Sequence, residues 1–392
     1  MKKYIIYGIS SVGKMLVKML NRIKKEYLIF DGNPNLWGEY YQNQKIIPSI
    51  ELVNYVNEEY TLILCIRDDQ EKAFISYCSQ YIEVISWRDV IPYLISEYEN
   101  EVTYSTDYET NFKKWWFGLK SEIEFWEEAY AKPNGRKHNW YEKLIDNSIF
   151  NDEFFDVTKI KDGWKILDVG SGIVSRYGEN LGGNCKIELT AVDPLAAWYN
   201  IFNKKYNPEY NKKDVKFGLL EELSEQFDNN SMDMIIISNA LDHCISPLAC
   251  IFESLKVIRI GGCIYIKTLI REACNEKTVG LHQWNLDLND EGEFILWNED
   301  SFVNISKRLN EFCEIVINRY PSDERGLSGN WGFMTICITK KKEIYEKKEL
   351  EIRLTDSCGK IFNKIAKEFD YRDDLVWEEG YEAIFEKKHK IC

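Results

Sequence analysis

The chain has 392 residues and a formal net charge of -14, with 45% hydrophobic and 14% aromatic residues. This composition excludes a disordered chain and is sufficient for two or three domains, while the acidic balance argues against nucleic acid or an anionic membrane as a partner. The 11 cysteines form no C-x-x-C pair and no apolar run is long enough to span a bilayer, so we expect a reduced, cytoplasmic protein without a zinc knuckle or membrane segment.

Residues 1–95 predict a small Rossmann-like α/β domain in which strands alternate with helices around a parallel sheet. Gly8, Ser10 and Gly13 occupy the three positions of a G-x-G-x-x-G dinucleotide fingerprint, and Asp31 follows at the end of the second strand. Ser10 places a side chain where the backbone would approach a ligand most closely. We therefore favour a structural or homo-oligomerisation module over a working nucleotide site.

Residues 96–162 predict a helical connector that is unusually rich in aromatic side chains. Large rings at helical spacing bury area first, so most of them are expected in the core and one or two at a substrate entrance. The turn NGRKHNW within this segment includes Arg136 in an otherwise acidic protein. Arg136 could bind a substrate phosphate, or the turn could be a solvated surface feature.

Residues 163–340 predict a second α/β unit, and the Lys- and Glu-rich residues 341–392 predict a helical extension. The predicted strands are KILDV, KIELTAV, VKFG, MDMIIIS, CIYIKT, EIVINRY and FMTICIT.

The first of these strands runs into two close glycines, in LDVGSG, before a predicted helix. Asp168 at this strand end would repel a diphosphate and attract an ammonium or sulfonium group. Asp193 stands about twenty residues past the turn, where a carboxylate can accept both hydroxyls of a ribose. A cation joined to a ribose indicates S-adenosylmethionine, although each acid alone could simply end a strand.

These motifs, in this order, resemble the class I, Rossmann-like S-adenosylmethionine-dependent methyltransferases. LDVGSG is similar to the first motif, AVDP to the ribose-binding acid, FGLLEEL to the adenine-flanking motif, SMDMIIISNALDHCISP to the fourth motif, and LKVIRIGGCIYIK to the turn before the fifth strand. Val174 replaces the third glycine, and Leu219 replaces an acid of the adenine motif. The resemblance implies a seven-stranded sheet preceded by a smaller Rossmann-like domain, as in enzymes of bacterial surface-polysaccharide and sugar modification.

The same resemblance implies S-adenosylmethionine as the cofactor. The residues expected to bind it are Asp168, Gly170, Ser171, Gly172, Asp193, Pro194, Leu220, Glu221 and Asn239.

Methyl transfer to an alcohol requires alignment and removal of a proton, which points to a base near the donor. His243 follows the fourth strand and His282 lies in the long segment after the fifth, so both are predicted catalytic residues. Asp242 could orient a histidine, act as the base, or bind a divalent metal. Because the sequence shows no complete ligand set, we predict no metal site. His243 could alternatively only pack beside the cofactor.

The segment GLHQWNLDLNDEGEFILWN combines amide side chains with indoles. Rings stack on the apolar faces of sugars while amides bond to their hydroxyls, so Gln283, Trp284 and Asn285 are predicted to bind substrate together with Arg136. The alternative is a lid whose tryptophans pack on the sheet.

The sequence therefore predicts a cytoplasmic S-adenosylmethionine-dependent O-methyltransferase. Its expected acceptor is a small molecule, a sugar hydroxyl of a nucleotide-activated sugar for surface polysaccharide. The alternatives are O- or N-methylation of another small molecule, an NAD-binding oxidoreductase that uses the first unit, and an inactive binding scaffold.

Overall fold

The computed structural model describes residues 3–66, 68–104, 108–207, 209–210, 212–321 and 331–344. The strands are β1 (Lys3–Tyr7), β2 (Tyr27–Asp31), β3 (Tyr40–Tyr41), β4 (Gln44–Pro48), β5 (Tyr60–Leu64), β6 (Glu83–Ser86), β7 (Lys165–Val169), β8 (Asn180–Gly182), β9 (Cys185–Lys186), β10 (Glu188–Asp193), β11 (Lys216–Phe217), β12 (Met232–Ser238), β13 (Ile258–Leu269), β14 (Asn285–Leu288), β15 (Phe294–Trp297), β16 (Phe302–Asn304), β17 (Cys313–Tyr320) and β18 (Phe333–Lys340). The α-helices are α1 (Ser11–Arg22), α2 (Asp68–Cys78), α3 (Trp87–Glu101), α4 (Tyr108–Trp126), α5 (His138–Asp146), α6 (Ala196–Tyr206), α7 (Pro247–Val257), α8 (Glu272–Asn275) and α9 (Ile305–Leu309). Among the helices just given, none is long and apolar enough to cross a bilayer.

Two compact units divide the described residues. The first unit contains residues 3–104 with 273–278 and 285–305, and the second contains 108–272, 279–284 and the described residues from 306 onward. This division differs from the four segments expected from the sequence, because two pieces of the later chain join the first unit. The predicted helical extension falls almost entirely outside the described residues.

The first unit contains a six-stranded sheet in the order β3-β4-β2-β1-β5-β6, and every neighbouring pair except β3–β4 is parallel. Its glycine turn is bonded internally. Asp31 accepts the backbone N–H of Ile9 at 2.8 Å, and Ser10 caps α1 by accepting from Gly13 while it donates to the carbonyl of Cys65 at 3.0 Å. These bonds fix the conformation of the turn.

The second unit contains a seven-stranded sheet in the order β11-β10-β7-β12-β13-β18-β17, which confirms the predicted α/β fold. The first five strands in this order are parallel, β18 runs antiparallel to β13, and β17 runs antiparallel to β18. Since β10, β7 and β12 are neighbours, their carboxyl ends lie side by side. This is the edge at which open α/β sheets bind ligands.

The helix predicted after the LDVGSG turn is wrong, because the chain from 171 to 179 forms turns and bends before β8. Asn180 accepts the N–H of Phe150 at 2.7 Å and bridges to Ile149. Gly178 lies so close to the Ser148 backbone that a Cβ there would overlap it. Pairing with this preceding segment holds the chain extended where a helix was expected.

The aromatic connector is divided between the two units, with residues 96–104 in the first and residues 108–162 in the second. Phe112, Trp115 and Trp116 of α4 are buried as predicted, in a cluster with Trp198 and Tyr199 of α6. A π-helical turn (Glu127–Ala131) continues directly from α4. Such turns are often found at functional sites.

Candidate functional site

The glycine loop after β7 is enclosed from two sides. Gly170 and Gly172 both have φ of +67°, a left-handed conformation that glycine adopts without strain. A Cβ on Gly170 would overlap the side chain of Ala240, and one on Gly172 would lie 2.8 Å from the indole of Trp126. The loop therefore fits between the segment that follows β12 and the last residue of α4.

Asp168 is 3% exposed at the end of β7, and its carboxylate accepts the hydroxyl of Ser175 at 2.6 Å. The same hydroxyl accepts the N–H of Tyr177 at 3.2 Å. Burial raises the pKa of Asp168 to about 6. Since a charge in this position is poorly solvated, a cationic ligand nearby would favour the ionised carboxylate.

Asp193 holds the loop through both carboxylate oxygens, because one accepts the N–H of Gly172 at 3.0 Å and the other that of Leu195 at 2.8 Å. Burial raises its pKa to about 7, and the charges of Glu122 and Asp168 add to the shift. Each carboxylate oxygen has a second lone pair. Asp193 is therefore placed to accept ligand hydroxyls while it supports the glycine loop.

Two residues of this region escaped the sequence analysis. Glu122 accepts the indole N–H of Trp126 at 2.7 Å, and Trp126 covers Gly172. Their spacing of four along a helix resembles any packed helix face, so no sequence signal distinguished them. The charge of Glu122 acts on Asp193, and the combined negative charge of these acids suits a sulfonium donor.

The remaining predicted cofactor residues serve the scaffold in different ways. Ser171 donates its backbone N–H to Val192 at 3.3 Å, and the half-buried Pro194 follows Asp193. Asn239 is exposed at the end of β12, with φ of +48° and its N–H bonded to the carbonyl of Lys267.

Glu221 is buried, and one carboxylate oxygen accepts the N–H groups of Ile245 at 2.7 Å and Ser246 at 3.2 Å. It thereby supports the start of α7. Leu220 beside it is 4% exposed. The adenine contacts predicted for this pair remain a proposal.

A separate cluster beyond the carboxyl end of β12 contains the side chains of Asp242, His243 and His282. The Nδ1 atom of His282 lies 2.8 Å from Oδ2 of Asp242 and 3.1 Å from Nε2 of His243, and the latter two atoms are 3.5 Å apart. The side chain of Asp242 is 1% exposed, whereas those of His243 and His282 are 20% and 25% exposed. The cluster thus combines a buried carboxylate with two accessible imidazoles.

Backbone bonds fix the geometry of this cluster. Asp242 and His243 lie in a short 3-10 helix after β12, and the N–H of Gln283 donates to the carbonyl of Asp242 at 3.2 Å. The side-chain amide of Gln283 donates to Gly280 at 2.7 Å and closes the loop that carries His282.

The protonation of the cluster follows from its charges. Burial opposes the charged form of His282, but the hydrogen bond and charge of Asp242 outweigh it and raise the pKa of His282 to about 9. Burial likewise disfavours ionised Asp242, yet His243 and His282 lower the pKa of this carboxyl below its usual value. The charges of Glu272 and Glu122 add to the rise in the pKa of His282.

The structure treats the predicted substrate residues unequally. Trp284 and Asn285 are each 1% exposed, and Asn285 belongs to the first unit, where it accepts the N–H of Cys274 at 3.0 Å. Their burial leaves no surface on which a sugar could stack, and this agrees with the alternative of packed side chains. Gln283 is half-buried, and Arg136 is exposed with its guanidinium 5.2 Å from the Phe125 ring.

Residues 167–266 match a family described as "Methyltransferase domain". No curated protein sequence matched the chain. The chain is similar to a possible histamine N-methyltransferase of Thermotoga maritima, with 15% identity, a TM-score of 0.33 and coverage of 56% of this chain and 99% of that one. For an S-adenosylmethionine-dependent methyltransferase of Aquifex aeolicus the values are 16%, 0.30, 50% and 95%. For the carbon methyltransferase CurJ they are 19%, 0.32, 47% and 50%, so the match spans half of CurJ.

The domain match covers the strand that carries Asp168, the acid Asp193 and the Asp242–His243 pair. The protein is a methyltransferase with a class I fold. Its methyl donor is S-adenosylmethionine, as the sequence predicted.

Proposed function

We propose that the protein transfers the methyl group of S-adenosylmethionine to a hydroxyl of a small molecule, and that the acceptor is a sugar. The observation that supports O-methylation is the cluster of Asp242, His243 and His282 at the carboxyl end of β12. β12 is the neighbour of β7, which carries Asp168. Groups that can assist proton loss therefore lie at the same sheet edge as the acids proposed to bind the donor.

In the proposed reaction the acceptor oxygen attacks the methyl carbon as the carbon–sulfur bond breaks, and the bonding electron pair stays on sulfur. The donor becomes a neutral thioether, which no longer benefits from the carboxylates of Asp168, Asp193 and Glu122. The hydroxyl proton must leave in the same step or before it. The Asp242–His243–His282 cluster is proposed to promote that loss.

An activated sugar is supported by one further set of contacts. Arg136 lies over the ring of Phe125, Phe125 meets Trp126 edge to face with 5.9 Å between centroids, and Trp126 covers Gly172. The rings of Phe125 and Trp126 therefore lie between the exposed guanidinium of Arg136 and the glycine loop after β7. In this acidic protein it is suited to a phosphate of a nucleotide sugar.

The test supplies methyl-labelled donor and a panel of nucleotide sugars, and follows the label by mass spectrometry. The parent protein should label a sugar oxygen. His243→Ala and His282→Ala should each lower single-turnover transfer by about 100-fold or more, the usual contribution of proton transfer. Both variants should still bind S-adenosylhomocysteine within about twofold of the parent, because the proposed role of the two histidines is in the reaction and not in binding of the donor.

His138→Ala is the matched control, because His138 pairs with Glu142 on α5 and should be dispensable. Label on nitrogen or carbon, or full transfer by both cluster variants, would refute the proposed O-methylation. Labelling of a hydroxyl outside the sugar panel would keep O-methylation and refute the sugar.

A further inference from the structure

We infer that Asp242, His243 and His282 hold a divalent transition-metal ion. The inference rests on the proposed function for the role of the ion, but its binding can be tested separately. No complete ligand set is visible in the sequence, because His282 is about forty residues away from the other two. Folding brings Oδ2, Nε2 and Nδ1 of the three side chains within 3.5 Å of one another.

The separations within this triangle are those of ligands around one ion. Bonds of about 2.1 Å at right angles place neighbouring ligand atoms about 3.0 Å apart, and a tetrahedral arrangement places them about 3.4 Å apart. The observed edges are 2.8, 3.1 and 3.5 Å. Two imidazoles and one carboxylate on one face of an ion leave its other positions open.

Protons alone satisfy this arrangement poorly. A proton on Nδ1 of His282 can form a direct bond to Asp242, but Nε2 of His243 then points at an atom that already donates. If Nε2 of His243 and Nδ1 of His282 both carry a proton, the two N–H groups point at each other and repel. A cation inside the triangle bonds to all three lone pairs at once.

The surroundings also suit an ion that is held rigidly and reached from solvent. The backbone bond from Gln283 to Asp242 ties the two ligand-bearing segments together, and the Gln283 side chain braces the loop at Gly280. Asp242 is buried, while both imidazoles are about one-fifth to one-quarter exposed. Imidazole ligands favour ions such as Zn²⁺, Co²⁺ or Fe²⁺ over Mg²⁺.

A second group of potential ligands among the described residues is Glu221, Cys244 and Cys250. All three are buried. Glu221 already accepts two backbone N–H groups, and Cys244 donates to the carbonyl of Ala240. An acceptor could not reach an ion bound by this buried group. The group could nevertheless bind added metal, so a binding test must distinguish it from the proposed site.

An ion in the proposed site would polarise an acceptor hydroxyl and help it lose its proton to solvent, so that the three side chains act as ligands and none has to be the base. The acceptor best suited to open neighbouring positions carries two adjacent oxygens, as the vicinal hydroxyls of a sugar do.

The binding test titrates chelator-treated, full-length protein with Co²⁺ and follows the visible d–d bands, and repeats the titration calorimetrically with Zn²⁺. One ion per chain should bind. His243→Ala and His282→Ala should each weaken it at least tenfold, and His243→Gln provides a milder variant if alanine impairs folding. His138→Ala should match the parent. Affinity for S-adenosylhomocysteine reports that each variant is folded.

Failure of Co²⁺ and Zn²⁺ to bind at millimolar concentration would overturn the inference. Equal binding by the folded histidine variants would also overturn it, as would a sulfur-to-cobalt charge-transfer band that Cys250→Ser removes. If chelation leaves methyl transfer unchanged while His243→Ala and His282→Ala abolish it, the role of the ion in the reaction is refuted and the proposed function stands. Histidine-dependent binding without transfer to any hydroxyl would support the ion and refute the proposed function.

Discussion

Asp168 and Asp193 are buried without a cationic partner in direct hydrogen-bond contact among the described residues, and burial raises the pKa of Asp168 to about 6 and that of Asp193 to about 7. In the unfolded chain an aspartate has a pKa of about 3.9. The folded protein therefore binds protons more readily, and its stability without ligand falls as pH rises from about 4 to about 7. At neutral pH the two buried carboxylates therefore destabilise the unliganded protein, but they make the site negatively charged.

The variant Asp168→Asn separates the effect of the carboxylate on stability from its effect on donor binding. The amide oxygen can still accept the Ser175 hydroxyl, so the unliganded variant should be as stable as the parent at pH 8 or more stable, by up to about 2 kcal/mol. Its affinity for S-adenosylmethionine should fall at least tenfold. Chemical denaturation and calorimetry measure the two quantities.

Asp156→Asn is the control, because Asp156 is exposed and its carboxylate accepts the N–H of Thr158 in a turn that precedes the strand with the motif. It should leave donor affinity unchanged. A stable Asp168→Asn variant that binds the donor as well as the parent does would contradict the assigned role of Asp168.

At the residue scale, a functional residue can be predicted from the sequence when its residue type alone suggests a chemical role. Asp242, His243 and His282 were chosen because few side chains can manage protons, and they do lie together. Glu122 and Trp126 were missed because an acid and an indole on an aromatic helix look like packing.

Among the elements, the glycine loop after β7 leaves no room for a side chain at Gly170 or Gly172. Gly172 has φ of +67° and contacts Trp126, whereas Gly163 has φ of +75° and open space where a Cβ would lie. The two glycines share the backbone conformation and differ in their surroundings. This difference allows the close approach of α4 to the loop to be measured.

Gly163→Ala should lower the free energy of unfolding by about 1 kcal/mol, the cost of a left-handed alanine, and leave donor binding intact. Gly172→Ala should lower it by at least about twice as much and weaken donor binding, because its methyl group meets the indole. Denaturant titrations and calorimetry provide both numbers. Equal losses for the two variants would show that Trp126 does not confine the loop.

The strands of the seven-stranded sheet were predicted within a few residues, because buried strands are apolar runs bounded by turns. The helix after LDVGSG was not formed, and its replacement depends on contacts with residues 148–150 that no local pattern reveals. β3 and β4, which lie at one edge of the first sheet, were not predicted either. Local periodicity reports burial, but it cannot report which distant segment competes for the backbone.

For the whole molecule, the charges of the donor site predict a pH dependence of binding. Affinity for S-adenosylmethionine should rise between about pH 6 and pH 8, as Asp168 and then Asp193 lose their protons. S-Adenosylhomocysteine lacks the sulfonium charge and should show a smaller rise. Calorimetry across this range tests both, and identical pH profiles for the two ligands would exclude attraction of the sulfonium by these acids.

The compact units could not be delimited from the sequence, because a domain boundary depends on which surfaces meet after folding. Residues 285–305 were placed with the second sheet on the basis of chain order. In the structure they belong to the first unit, where the Tyr98 hydroxyl donates to the carbonyl of Glu299 at 2.6 Å and Asn304 donates to Glu99 at 3.0 Å.

This interleaving affects how the protein emerges from the ribosome. α3 appears after about a quarter of the chain has been made, but the strands β14, β15 and β16 that complete its unit follow only much later. The first unit must therefore wait, incompletely assembled, while most of the second is synthesised. Translation products that lack β14, β15 and β16 are therefore the ones most exposed to aggregation.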